Sequence, residues 1–180
     1  YKKECKKIVI AQWLKDKIYL KANSLSNFVP NGFDFNQFRL TIPIKNKNKY
    51  CISFLYHHRV VKDTATGLRA LEYVKQQIPQ IHVLMFGTYD LIDSIPCWIK
   101  YYKNPTLHKH IEINNTAAIY LGTSKEEGWG LTIGEAMMCG QAVVCTDNLG
   151  YKEMAIHEEN ALISHIEDPK SLADNIIRLI

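Results

Sequence analysis

From Tyr50 onward, short continuous apolar runs alternate with segments of helical periodicity. Tyr50–Leu55, Ile81–Phe86, Ala117–Leu121, Ala142–Cys145 and Ala161–Ser164 read as strands buried on both faces, because a strand with one wet face would alternate apolar and polar residues. Asp63–Gln77 carries Leu68, Leu71, Val74 and Ile78 near helical spacing and reads as a helix capped by Asp63 or Thr64. Shorter helices are predicted over Thr106–Asn115, over Gly130–Cys139 with Gly140 closing it, and over Gly150–His157. Pro169–Ile180 reads as a last helix, with Asp168 as its N-cap and Pro169 in its first turn. Ile92–Asn104 contains Pro96 and fits neither template. Buried strands separated by helices predict an α/β fold, a Rossmann-like doubly wound parallel sheet, with ligands at the carboxyl ends of the strands.

The residues before Tyr50 pattern differently. Ile8–Leu20 reads as a strand turning into a short helix, and Pro30-Asn31-Gly32 predicts a turn. Lys45–Lys49 reads as a polar loop, with a domain boundary between Asn36 and Lys49. Tyr1–Lys7 sets four lysines against Glu4, and is either a solvated end or a patch for an anionic membrane surface.

Composition narrows the class. The chain is 47% hydrophobic with 9 Gly and 6 Pro, which excludes collagen-like and disordered architectures. Its 22 basic and 18 acidic residues give +4, too little by itself to argue for nucleic acid. Five scattered cysteines without a C-x-x-C pair argue against a disulfide framework or structural zinc and for a reducing compartment. Cys139 and Cys145 read as small buried residues, and Tyr101-Tyr102 as packing.

The chemistry concentrates in Leu121–Glu135. Gly128 and Gly130 flank Trp129 and let backbone approach a ligand, and the N–H groups from Gly130 to Ile133 open a helix whose positive end suits phosphate. Glu127 and Glu135 are poor neighbours for phosphate but good acceptors for vicinal hydroxyls. A ligand with hydroxyls on both sides of a diphosphate satisfies both demands, and a nucleotide-sugar is that ligand. The bland alternative is an ordinary strand–loop–helix corner with surface glutamates.

Glu127-Gly-Trp-Gly-Leu-Thr-Ile-Gly-Glu135 resembles the E-x7-E signature of retaining GT-B glycosyltransferases of family 4, also called group 1, and Ala136–Val144 resembles that family's continuation, with Ala142 where proline is usual. Ser124 fits the lead-in to the signature, with Thr123 replacing proline; Val29–Asp34 resembles the interdomain I-P-N-G-V-D segment and Asp147–Glu153 the loop after the next strand. The resemblance implies that Glu127 faces the donor sugar, that Glu135 holds the ribose, and that Gly130, Leu131 and Thr132 meet the diphosphate. It further implies a basic pair from the loop Tyr56–Asp63. Lys62 matches the family lysine by position, while the arginine's place falls to Arg59 or His57; Arg59 is preferred for its permanent charge and paired donors. His57-His58 reads equally as scaffold. Phe86-Gly87-Thr88 ends a neighbouring strand and is either a contact for the base or a plain corner.

By resemblance, residues 1–36 are the end of an N-terminal domain and its linker, 37–49 the polar loop, and 50–180 a donor domain cut off in its last helix. The implied partners are a nucleotide-sugar donor, a carbohydrate or glycolipid acceptor and the N-terminal domain of the same enzyme, with no nucleic acid. No D-x-D motif is present, so neither metal nor other cofactor is expected. The implied role is metal-independent transfer in polysaccharide or capsule synthesis, in the cytoplasm, with contact at the inner face of the membrane left open. Two alternatives remain: a binding module that does not transfer, and a GT-B-fold nucleotide-sugar epimerase.

Overall fold

A computed structural model describes residues 5–180. Lys2, Lys3 and Glu4 of the expected lysine patch lie outside the described residues. The chain forms β1 (Ile8–Val9), α1 (Gln12–Ala22), β2 (Asn27–Phe28), β3 (Asn48–Leu55), α2 (Thr64–Gln77), β4 (His82–Gly87), β5 (Ile99–Lys103), α3 (Leu107–Thr116), β6 (Ala117–Gly122), α4 (Leu131–Met138), β7 (Ala142–Thr146), β8 (Ala161–Ser164) and α5 (Pro169–Leu179).

Strands β3 to β8 make one parallel sheet in the order β5-β4-β3-β6-β7-β8. Counted from β3 this is the 3-2-1-4-5-6 order of a doubly wound sheet, whose direction of winding reverses between β3 and β6. Alternate residues of each strand serve opposite faces. Ile52, Phe54, Ile119, Leu121 and Val144 pack under α2 and α5, with Leu71, Val74, Leu172 and Ile176. Tyr120, Val143 and Cys145 pack with Ile113 of α3 and Ile133 and Ala136 of α4 on the other face. Both faces are covered, which is why the strands read as unbroken apolar runs.

The helix ends follow their caps. The Asp63 carboxylate accepts from the Thr66 N–H at 3.4 Å at the start of α2. Asp168 accepts from the Ser171 N–H at 2.9 Å, with Pro169 opening α5.

Four expectations need correction. The ambiguous stretch contains β5, an edge strand of half-buried tyrosines and exposed lysines that shows no apolar run. Gly150–His157 is no α-helix; one 3-10 turn, Tyr151–Glu153, is all that forms. The turn expected at Pro30-Asn31-Gly32 falls later, because Asp34 gathers the N–H groups of Asn36 (2.9 Å, on the carboxylate) and of Gln37 and Phe38 (3.1 and 2.9 Å, on its carbonyl). Nor is Lys45–Lys49 simply a solvated loop. Lys47 Nζ donates to the carbonyls of Asn114, Asn115 and Ala117 at 3.1, 2.7 and 2.8 Å and closes the C-terminal end of α3. Burial there lowers its pKa to about 8.

The N-terminal segment forms its own two-stranded parallel pair, β1 with β2. It lies against the loop before α4, where Trp13 Nε1 donates to Gly128 O at 3.1 Å and Phe33 stacks 5.0 Å from Trp129, and against the turn after β7, where the Gln12 N–H donates to Glu153 at 2.8 Å. Among the described residues no helix is long and apolar enough to cross a membrane.

Candidate functional site

Two loops leave the sheet where its winding reverses, one after β3 (residues 56–63) and one after β6 (residues 123–130). They meet in an ion pair: Lys62 Nζ lies 2.5 Å from Glu127 Oε1, with 24% and 13% of the two side chains exposed. The same carboxylate oxygen accepts from Ser124 Oγ at 2.7 Å.

Second-layer contacts hold both partners in register. Thr123 Oγ1 donates to Lys62 O at 3.0 Å, and the Lys125 N–H donates to Val61 O at 2.8 Å, so the loops are laced side by side. Behind them the buried Thr146 hydroxyl and Asn148 amide donate to Ser124 O at 2.5 and 2.9 Å. A Cβ on Gly150 would stand 2.4 Å from Glu127 O, so only glycine lets that backbone come so close. The Asp147–Glu153 stretch thus acts as the back wall of the Glu127 loop.

Gly130 has φ +92° and caps α4 without a side-chain bond; a Cβ there would strike the Tyr151 ring at 2.6 Å. The Ile133 N–H turns back onto Gly130 O at 3.2 Å, which corrects the expectation that it stays available. The open donors at this helix start are therefore those of Gly130, Leu131 and Thr132. Lys62, Glu127, Gly128, Gly130, Leu131 and Thr132 line one cavity of about 290 Å³.

Other predicted residues stand apart from that cavity. His57 and Arg59 line a neighbouring cleft of about 310 Å³ with His58 and Leu91. His57 packs 4.7 Å from the Tyr89 ring, and burial, then His58, Lys62 and Arg59, lower its pKa. Gly87 ends β4 where a Cβ would sit 2.4 Å from Tyr56 O, so its place is explained by strand packing. Thr88 follows it, exposed. Tyr101 is a packing residue, edge-on to Tyr56 and donating to Tyr89 O at 2.5 Å. Cys145 is fully buried and its thiol is pushed up to about 12, the state of an inert core cysteine.

Glu135 sits one turn into α4 and faces α3. Its side chain is 18% exposed, and burial raises its pKa to about 7. His110 of α3 stands against it, with Nε2 at 3.8 Å from Glu135 Oε2. Patterning along the chain assigns no role to His110, Asn148 or Gly150. The last two lie in a loop that resembles a family segment, but nothing along the chain marks a lone histidine in a polar helix.

A parallel sheet wound this way, with a cation, a carboxylate and a bare helix start converging at its reversal point, has the architecture of a doubly wound α/β domain of the GT-B glycosyltransferase type. Residues 39–180 match the family model for glycosyl transferases group 1, and the chain belongs to that family. No curated protein matches it. Among solved structures it is similar to Anabaena HepE in complex with UDP-glucose, at 20% identity and a TM-score of 0.79 over 95% of this chain and 52% of that one. The sucrose-phosphate synthase of Thermosynechococcus elongatus superposes with a TM-score of 0.74 at 20% identity, over 96% of this chain and 48% of that one. The C-terminal domain of the group 1 protein LpcC from Francisella tularensis gives 0.69 at 19% identity, over 82% and 87%. The chain therefore spans about half the length of HepE and of the synthase.

Proposed function

We propose that this chain is the donor-binding half of a retaining family 4 glycosyltransferase, which moves a sugar from a nucleotide-diphospho-sugar to an acceptor hydroxyl. The observation that carries the reading is the Lys62–Glu127 pair beside the open start of α4, in one cavity. A cation and free N–H groups suit a diphosphate; a carboxylate at its edge suits sugar hydroxyls. HepE, a structure of the same fold, is described in complex with UDP-glucose, which supports a nucleotide-sugar as the ligand.

Before donor binds, Lys62 and Ser124 hold Glu127 in place. As donor enters, Lys62 turns to the diphosphate and Glu127 accepts from the sugar hydroxyls. The C–O bond from the anomeric carbon to the diphosphate breaks as the acceptor hydroxyl oxygen bonds that carbon on the same face, and the leaving diphosphate oxygen takes the negative charge and then the acceptor's proton. Lys62 and the Leu131 and Thr132 N–H groups stabilise that charge in the role a metal fills elsewhere, with no resident cofactor. Arg59 and His57 both line the next cleft, and His57 lies within electrostatic reach of Lys62 and Glu127. The acceptor is read by an N-terminal domain, to which residues 1–36 belong, and the product is a polysaccharide or another glycoconjugate.

The test is calorimetric titration of the chain with UDP-, GDP-, ADP- and dTDP-sugars. Binding of one of them, lost in Lys62→Ala and weakened in Glu135→Ala, is expected. No binding across the panel, or unchanged affinity in both variants, would overturn the reading.

A further inference from the structure

The His110 imidazole is held where a core histidine would normally find a partner, yet its Nε2 is buried with none. Phe38 packs edge-on at 5.6 Å and Phe86 at 4.6 Å, so the ring plane is fixed by two aromatic neighbours. What Nε2 faces is the Glu135 carboxylate, 3.8 Å away and just beyond hydrogen-bond length. Among the described residues Glu135 has no lysine or arginine partner; its other titratable neighbours are Tyr120 and Cys139, which bring no positive charge.

We propose that His110 is a positioning residue for Glu135: as the ribose of a nucleoside diphosphate docks, the Nε2–H donates to Glu135 Oε2 and holds Oε1 toward the vicinal hydroxyls. This rests on the reading that Glu135 meets the ribose. The move needed is under about 1 Å, within reach of a glutamate side-chain adjustment. Burial lowers the His110 pKa, so the ring is neutral at pH 7 and can carry its single proton on Nε2. A donor at that distance favours the ionised, accepting form of a carboxyl that burial otherwise keeps half-protonated near neutrality. Two ribose hydroxyls need a carboxylate with both its charge and its orientation settled, and His110 supplies both through one bond.

The experiment titrates the wild-type chain, His110→Leu and His110→Gln with UDP, GDP and ADP and with the 2′,3′-dideoxy form of each. Wild type is expected to favour the ribose form of its preferred nucleotide at least tenfold. His110→Leu should lose fivefold or more on the ribose form and nothing on the dideoxy form, and His110→Gln, which keeps an N–H donor, should recover most of the loss. Glu135→Gln should lose the discrimination and become insensitive to adding His110→Leu. A variant that weakens both forms equally, or neither, overturns the positioning role and leaves the donor-site reading standing. Failure of wild type to bind any of the three nucleotides overturns the inference, and failure that extends to the dTDP-sugar overturns the donor-site reading as well.

Discussion

Lys62 and Glu127 come from loops that follow different strands, 65 residues apart, and meet at 2.5 Å. Ser124 shares the same oxygen of Glu127, so the carboxylate is held from two sides before any ligand arrives. In the complete enzyme Lys62→Ala should cost roughly 100-fold or more in turnover, the scale of losing one group that stabilises a leaving charge. Ser124→Ala should cost less, about 1 kcal/mol or several-fold, since Lys62 still holds Glu127. Normal steady-state turnover in Lys62→Ala would remove the leaving-group role.

Gly130 is needed for its backbone. At φ +92°, with the Tyr151 ring 2.6 Å from where a Cβ would stand, Gly130→Ala should destabilise the chain by about 1–3 kcal/mol and lower Tm by several degrees. Gly32→Ala is the control, because a Cβ there meets nothing within 4 Å. Equal Tm values for the two variants in a thermal melt would contradict this account.

The Glu135 carboxyl, raised from the usual 4.5 to about 7 by burial, makes stability depend on pH. Between those values the native state keeps a proton that the unfolded chain has lost, so stability falls as pH rises through about 4.5 to 7 and then levels. The ceiling is roughly 3 kcal/mol. Glu135→Gln removes this slope. Urea unfolding of both proteins from pH 4.5 to 7.5 should show the variant gaining on wild type across the window; parallel profiles would refute the shift.

Lys47 closes α3 from a distant part of the chain. Lys47→Met leaves three carbonyls without their shared donor and should cost about 1–3 kcal/mol at pH 7 in denaturant unfolding. A neutral outcome would show that water replaces the ammonium at no cost.

Phe33 covers Trp129, which is only 8% exposed. In a background with Trp13 and Trp98 replaced by phenylalanine, Phe33→Ala should shift the Trp129 emission to the red. An unmoved spectrum would mean that the N-terminal segment does not shield the loop in solution.

Five of the six sheet strands and most of the helices that cover them are legible in the sequence. Continuous apolar strands, the Asp63 and Asp168 caps and the glycine at the start of α4 are local signals, and each acts where it is read. β5 escaped because its exposed lysines and half-buried tyrosines leave it without an apolar run. The 3-10 turn at Tyr151–Glu153 escaped because a tertiary contact, Gly150 against the Glu127 backbone, overrides helical spacing. Glu127 was legible beside the glycines as an acceptor for hydroxyls, and Lys62 and Ser124 through their places in the resemblance to group 1 glycosyltransferases. That Lys62 and Glu127 touch, that Arg59 and His57 line a separate cleft, and that His110 stands against Glu135 all come from tertiary packing. Those relations depend on which strand ends and helix faces become neighbours, and in a doubly wound sheet, elements far apart in sequence are brought together at the winding reversal and across the packed helices.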